Sequence, residues 1–128
     1  MSRQAIHSSA APSAIGPYSQ AIRVGDTVYL SGQIGLDPAS GQLREGTVAQ
    51  AEQVFANLEA VAAAVGATLN DMVKVTLLLA DMGDFAQVNE IMARRFSTPY
   101  PARATYQVAR LPRDARIEVD AVLVLKGA

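Results

Sequence analysis

Between residues 117 and 125, apolar side chains fall at every second position. Ile117, Val119, Ala121, Leu123 and Leu125 share one face, and Glu118, Asp120, Val122 and Val124 share the other. This alternation predicts a strand over 116–125. A different period governs residues 51–65, where Ala51, Phe55, Leu58, Val61 and Val65 form one stripe. That spacing predicts a helix over 47–65. Thr47, followed three residues later by Gln50, matches a capping box, and Gly66 sits where a left-handed C-terminal cap belongs. A second helix is predicted over 84–96, with Phe85, Val88, Met92 and Phe96 on one face and Asn89 beside them. Strands are predicted over 21–24, 27–31, 72–80 and 104–108. Gly25 and Asp26 suit a two-residue hairpin turn with glycine at positive φ, while residues 37–41 and 111–114 read as further turns.

The predicted order is strands, helix, strand, helix, strands, which implies an α+β fold with two helices on one face of a sheet. Leu77, Leu78 and Leu79 are apolar on both faces of their strand. Two helices cover only one face, so the other, with its own apolar residues, needs a cover. A second copy of the chain is the simplest one. The pattern therefore predicts oligomerisation without fixing the number of subunits.

A length of 128 residues fits one domain spanning 1–128, and half of the residues are hydrophobic, enough for a real core. The formal net charge of −1 leaves no overall footprint for nucleic acid or an anionic membrane. With no cysteine, a disulfide framework, a thiolate-ligated zinc and a thiol nucleophile are excluded. The single histidine, His7, argues against a metal site, and no metal is expected. A triad would have to use His7 from a marginal N-terminal strand, where a base lacks the firm support it needs. No basic stretch followed by an apolar run opens the chain, and the run around residues 75–80 is too short to span a membrane. A cytoplasmic enzyme or binding protein is the expectation.

Six positions invite a chemical reading. Glu118 lies within a long β run beside Val122 and Val124. It reads either as a solvated sheet residue or as a carboxylate facing a pocket at a subunit contact, where desolvation suits it to proton transfer. Arg103 follows the stiff segment 99–102 (PYPA) at the start of a strand. It is either a surface charge or a rigidly held fork for a carboxylate. Ser31 and Gly32 read as the end of a strand, where a ligand can approach the glycine backbone. Tyr18, after Gly16 and Pro17, is a core residue or a pocket hydroxyl, and Asn89 is a ligand contact or a loop tie. Asp81, Asp84 and Glu90 read as a solvated helix start, and Arg110, Arg113 and Arg116 as a solvated turn.

In this order, the pieces resemble the Rid (YjgF-type) family. The resemblance rests on residues 11–21 (APSAIGPYSQA), 31–41 (SGQIGLDPASG), 53–61 (QVFANLEAV) and 84–90 (DFAQVNE), then 101–105 (PARAT), 108–112 (VARLP) and 117–121 (IEVDA). No single piece is specific, but together they span nearly the whole chain. The resemblance implies a chorismate-mutase-like α+β fold, with a mixed sheet and two helices on one face, assembled as a homotrimer with clefts between subunits. It further implies 2-iminobutanoate/2-iminopropanoate deaminase activity without metal or organic cofactor, acting on imines and enamines released by pyridoxal-phosphate enzymes. Carried over by position, Arg103 matches the arginine that binds the substrate carboxylate and Glu118 the glutamate that positions or activates water. Tyr18, Ser31 and Asn89 match residues lining the cleft, and Gly32 lies beside Ser31. Thr105 stands where many members carry Cys. It is still able to hydrogen-bond substrate but not to act as a thiol.

Three other readings compete. An aminoacrylate deaminase of pyrimidine breakdown would use the same arginine. A trimer that binds a small carboxylic or keto acid without turnover would show saturable binding alone. An RNA-directed role is disfavoured by the near-neutral charge and the lack of a histidine pair.

Overall fold

The computed structural model describes residues 2–126. Strand β1 (Arg3–Ile6) pairs antiparallel with β2 (Ala21–Val24), which turns through Gly25, at φ 61°, into β3 (Thr27–Ile34). Helix α1 (Thr47–Ala63) follows, then β4 (Met72–Leu79), helix α2 (Phe85–Arg95), β5 (Ala102–Gln107) and β6 (Ile117–Val124). The sheet order is β1-β2-β3-β6-β4-β5, antiparallel throughout except for the β4–β5 pair. A parallel neighbour requires a crossover, and α2 supplies it.

The period-two and helical stripes meet in one core, as predicted. Val75, Leu77, Leu79, Ile117, Val119 and Leu123 project from the sheet and are fully covered. Val54, Phe55, Leu58 and Val61 from α1, with Val88, Ile91 and Met92 from α2, close over them. The rings of Phe55 and Phe96 meet edge to face at 5.7 Å, locking the end of α2 onto α1. Each such large side chain contributes roughly 1.5–3 kcal/mol by leaving water.

Four local readings are corrected. Thr47 and Gln50 do not form a capping box. Gly46, at φ 87°, occupies the N-cap and its carbonyl accepts the Gln50 N–H at 3.0 Å. The two side chains are drawn elsewhere. Thr47 Oγ1 donates to Asp84 Oδ2 at 2.9 Å, and buried Gln50 donates to the Arg44 carbonyl while accepting the Arg116 N–H. Nor do Ser31 and Gly32 end a strand. β3 runs on to Ile34, and its pairing with β6 shifts register between Leu30 and Gln33, so the Ser-Gly pair sits in a bulge.

Asp84 is likewise not a solvated helix start. It accepts Arg116 Nη2 at 2.6 Å as well as Thr47, which ties the beginnings of α1, α2 and β6 together. Arg116 is thereby removed from the solvated turn. Arg110 remains there, paired with Asp114 at the exposed surface. Arg113 donates to the Gly41 carbonyl.

Candidate active site

Register decides where each candidate side chain points. Across β5, β4 and β6, Arg103 pairs with Val75 and Val75 with Ala121. Directly paired residues share a face, so Arg103 lies on the helix-covered side. Tyr106 pairs with Leu78 and Leu78 with Glu118, so Glu118 lies on the open side. Within one chain the guanidinium and the carboxylate occupy opposite faces of the sheet.

On the helix side, Arg103 faces a cavity of about 440 Å³ lined by Asn89, Met92, Ala93, Tyr100 and Pro101. Its Nη1 donates to Asn89 Oδ1 at 2.7 Å and lies 3.7 Å from Met92 Sδ. The guanidinium carbon sits 5.3 Å from the centre of the Phe85 ring, in range for a cation–π contact. Among the described residues Arg103 forms no salt bridge. Asn89 and Phe85 are placed by α2, whose apolar stripe is anchored in the core.

On the open side, Glu118 lines a second cavity of about 420 Å³ with Tyr18, Gln20, Gly32, Gln33 and Ile34. Gly32 lets the Glu118 carboxylate approach the backbone closely. A Cβ at this position would meet Glu118 Oε2 at 2.5 Å. Half burial pushes the Glu118 carboxyl above the usual glutamate range, and the neighbouring Asp120 charge adds to the shift. Two buried amides hold the walls. Gln20 accepts the Ser8 N–H at 2.6 Å and donates to the Pro12 carbonyl, fastening the N-terminal loop. Asn57, from α1, donates to the carbonyls of Ile34 and Leu36.

Of the remaining candidates, Tyr18 lines the second cavity, and Ser31 and Thr105 line neither. Tyr18 is exposed at the second cavity, its hydroxyl accepting the Ile15 N–H at 3.3 Å. Ser31 donates its hydroxyl to the Ser19 carbonyl at 2.6 Å, leaving the oxygen lone pairs as its free capacity. Thr105 shares the Arg103 face of β5, and its Oγ1 is covered with no hydrogen-bond partner among the described residues. It lines neither cavity. The contributions of Phe85, Met92, Gln20 and Asn57 went unread in the sequence. Phe85 and Met92 pass for ordinary stripe residues, and the one available signal for Asn57 was an amide within a buried helical face.

The arrangement has close counterparts. The family described as endoribonuclease L-PSP, the YjgF/Rid family, matches residues 8–125. The chain belongs to the Rid family. A Rid protein of Mus musculus named 2-iminobutanoate/2-iminopropanoate deaminase is 53% identical over 123 residues, which is 95% of this chain and 91% of its own. Protein DfrA of Myxococcus xanthus is 54% identical over 127 residues, 97% of each chain. The crystal structure of RidA from an Antarctic Psychrobacter superposes with a TM-score of 0.93 at 51% identity, covering 95% of this chain and 99% of that one. The fold is thus that of solved Rid proteins, an α+β mixed sheet with two helices.

Proposed function

We propose that this Rid protein is a 2-iminobutanoate/2-iminopropanoate deaminase, hydrolysing imines and their enamine tautomers to 2-keto acids and ammonia. The observation that carries the reading is Arg103, a guanidinium without a carboxylate partner among the described residues, held at one nitrogen beside an open cavity. Such a fork suits the carboxylate of a small 2-imino acid. The names borne by relatives at about half identity agree with it.

Arg103 anchors the carboxylate and so orients the electrophilic carbon. Glu118 holds a water and takes its proton as the oxygen bonds to the C=N carbon. From the protonated imine this addition gives a neutral carbinolamine. The glutamate's proton then passes to its nitrogen, the C–N bond breaks, and the carboxylate relays the hydroxyl proton to the departing ammonia, which leaves as ammonium with the glutamate again ionised. A carboxyl titrating above the usual glutamate range suits both halves of this cycle. No step calls on a metal or organic cofactor.

Because Arg103 and Glu118 face opposite ways, a site containing both takes one from each of two copies. The open sheet face offers apolar surface for that contact in Tyr29, Tyr106 and Val124, all exposed in the single chain. A cyclic homotrimer, repeating one head-to-tail interface, supplies three such clefts. No helix among the described residues is long and apolar enough to cross a membrane. The proposed location is the cytoplasm.

The test generates the imine in place with an amino-acid oxidase or a threonine dehydratase, traps the free imine with semicarbazide, and follows 2-keto acid. Wild type diminishes the trapped imine and Arg103→Ala does not. A wild type indistinguishable from buffer would reduce the protein to a carboxylate-binding assembly.

A further inference from the structure

A lone arginine on an edge strand samples many rotamers and offers a carboxylate either end of its fork. Arg103 does not have that freedom. Nη1 carries two N–H bonds, and two acceptors face it, Asn89 Oδ1 at 2.7 Å and Met92 Sδ at 3.7 Å. Below the plane, the Phe85 ring lies 5.3 Å from the guanidinium carbon. Two contacts at one nitrogen fix a planar group's position along its edge, and one face contact fixes its tilt. Nε and Nη2 have no acceptor among the described residues.

We propose that Phe85 and Met92 are positioning residues that, together with Asn89, present the Nε–Nη2 edge of Arg103 to the substrate. The inference rests on the carboxylate-anchor reading and deepens it. With Nη1 occupied, the end-on approach between Nη1 and Nη2 is closed. The side-on approach offers two parallel N–H donors to a planar carboxylate with both oxygens free. An ester or amide of the same imino acid keeps only one acceptor for that edge and is discriminated against. Neither Phe85 nor Met92 touches the reacting carbon; each acts through the arginine.

The experiment compares wild type, Phe85→Leu, Phe85→Tyr, Met92→Leu and Arg103→Ala in steady-state deaminase assays and in melting curves. Loss of the ring face in Phe85→Leu raises KM about two- to five-fold and leaves kcat near wild type, because the contact serves ground state and transition state alike. Phe85→Tyr keeps the face and restores KM. Met92→Leu keeps the volume and raises KM about two-fold. A second readout uses added guanidinium ion, which restores turnover to Arg103→Ala by occupying the same cage. The concentration needed rises when Phe85→Leu or Met92→Leu is combined with Arg103→Ala. An unchanged KM in both Leu variants, or equal guanidinium requirements with and without them, overturns the positioning role. Should Phe85→Leu fail to fold, the Met92→Leu pair and its guanidinium titration decide alone. A wild-type KM in Arg103→Ala itself would instead sink the anchor reading.

Discussion

The two cavities are nearly equal in volume and oppositely finished. Around Arg103 the chain supplies an acceptor, a sulfur and an aromatic face, all from α2, so the cation is organised before any ligand arrives. Around Glu118 burial disfavours the charge and the charge of Asp120 repels it. The guanidinium is partnered within the chain, while the carboxyl forms no salt bridge among the described residues. The contrast teaches that the cation is organised by contacts within the chain, whereas the carboxyl is held toward its neutral form by burial and by Asp120.

The largest effect breaks the comparison outright. Arg103→Ala and Glu118→Ala each abolish most turnover, the second by about 10²–10⁴-fold as expected for a lost general base. Refolding the two inactive variants together restores about a quarter of the sites if each cleft draws its arginine and its glutamate from different copies. No recovery in such mixtures, or a wild type that sediments as a monomer at micromolar concentration, would leave the shared-cleft arrangement without support.

Next comes the fit of the glutamate itself. Gly32→Ala places a Cβ against Glu118 Oε2, so the carboxylate must swing aside. A shift of about 1 Å costs up to about 100-fold in kcat, while the melting temperature moves little because Gly32 is exposed. Kinetics and a melting curve on the same preparation separate the two quantities.

Thr105 sharpens the other half. Its hydroxyl is covered and has no partner among the described residues, which costs roughly 1 kcal/mol or more. Thr105→Val, an isosteric change in a strand, should stabilise the fold by about that amount in a denaturant titration. Unchanged kinetics would mark the hydroxyl as a bystander, whereas a raised KM would place it on the substrate.

The smallest effect is electrostatic. Glu118 has its folded-state pKa raised, so the fold favours its neutral form. That contribution is present below the ordinary glutamate range and lost as pH rises through the raised value. Glu118→Gln should therefore melt higher than wild type near about pH 7 and no higher near about pH 4. In the wild type, kcat should fall on acidification through the same raised value, since water activation needs the ionised form.

Much of this architecture is legible in the chain. The stripes in residues 51–65 and 117–125 predict α1 and β6 because burial on one face is a local, periodic property. The capping box misleads because a partner 37 residues away, Asp84, outbids the backbone for the Thr47 hydroxyl. Gly32 reads as a strand end because no local signal announces that β6 will pair on past a bulge. Arg103 and Glu118 are legible as types, a fork after a stiff segment and an acid in a β run. Their opposite facing is not, since it depends on register carried through three strands, one of them parallel.

The bulge at Ser31 and Gly32 also constrains how the sequence can drift. A side chain at position 32 and a carboxylate at position 118 compete for one volume, so neither site varies independently. A lineage that keeps the acid and adds a side chain at position 32 must let the carboxylate move aside. Once the acid is replaced by a smaller residue, the selective brake on position 32 is released, and alanine or serine can settle there. Positions 32 and 118 are therefore expected to change together rather than singly.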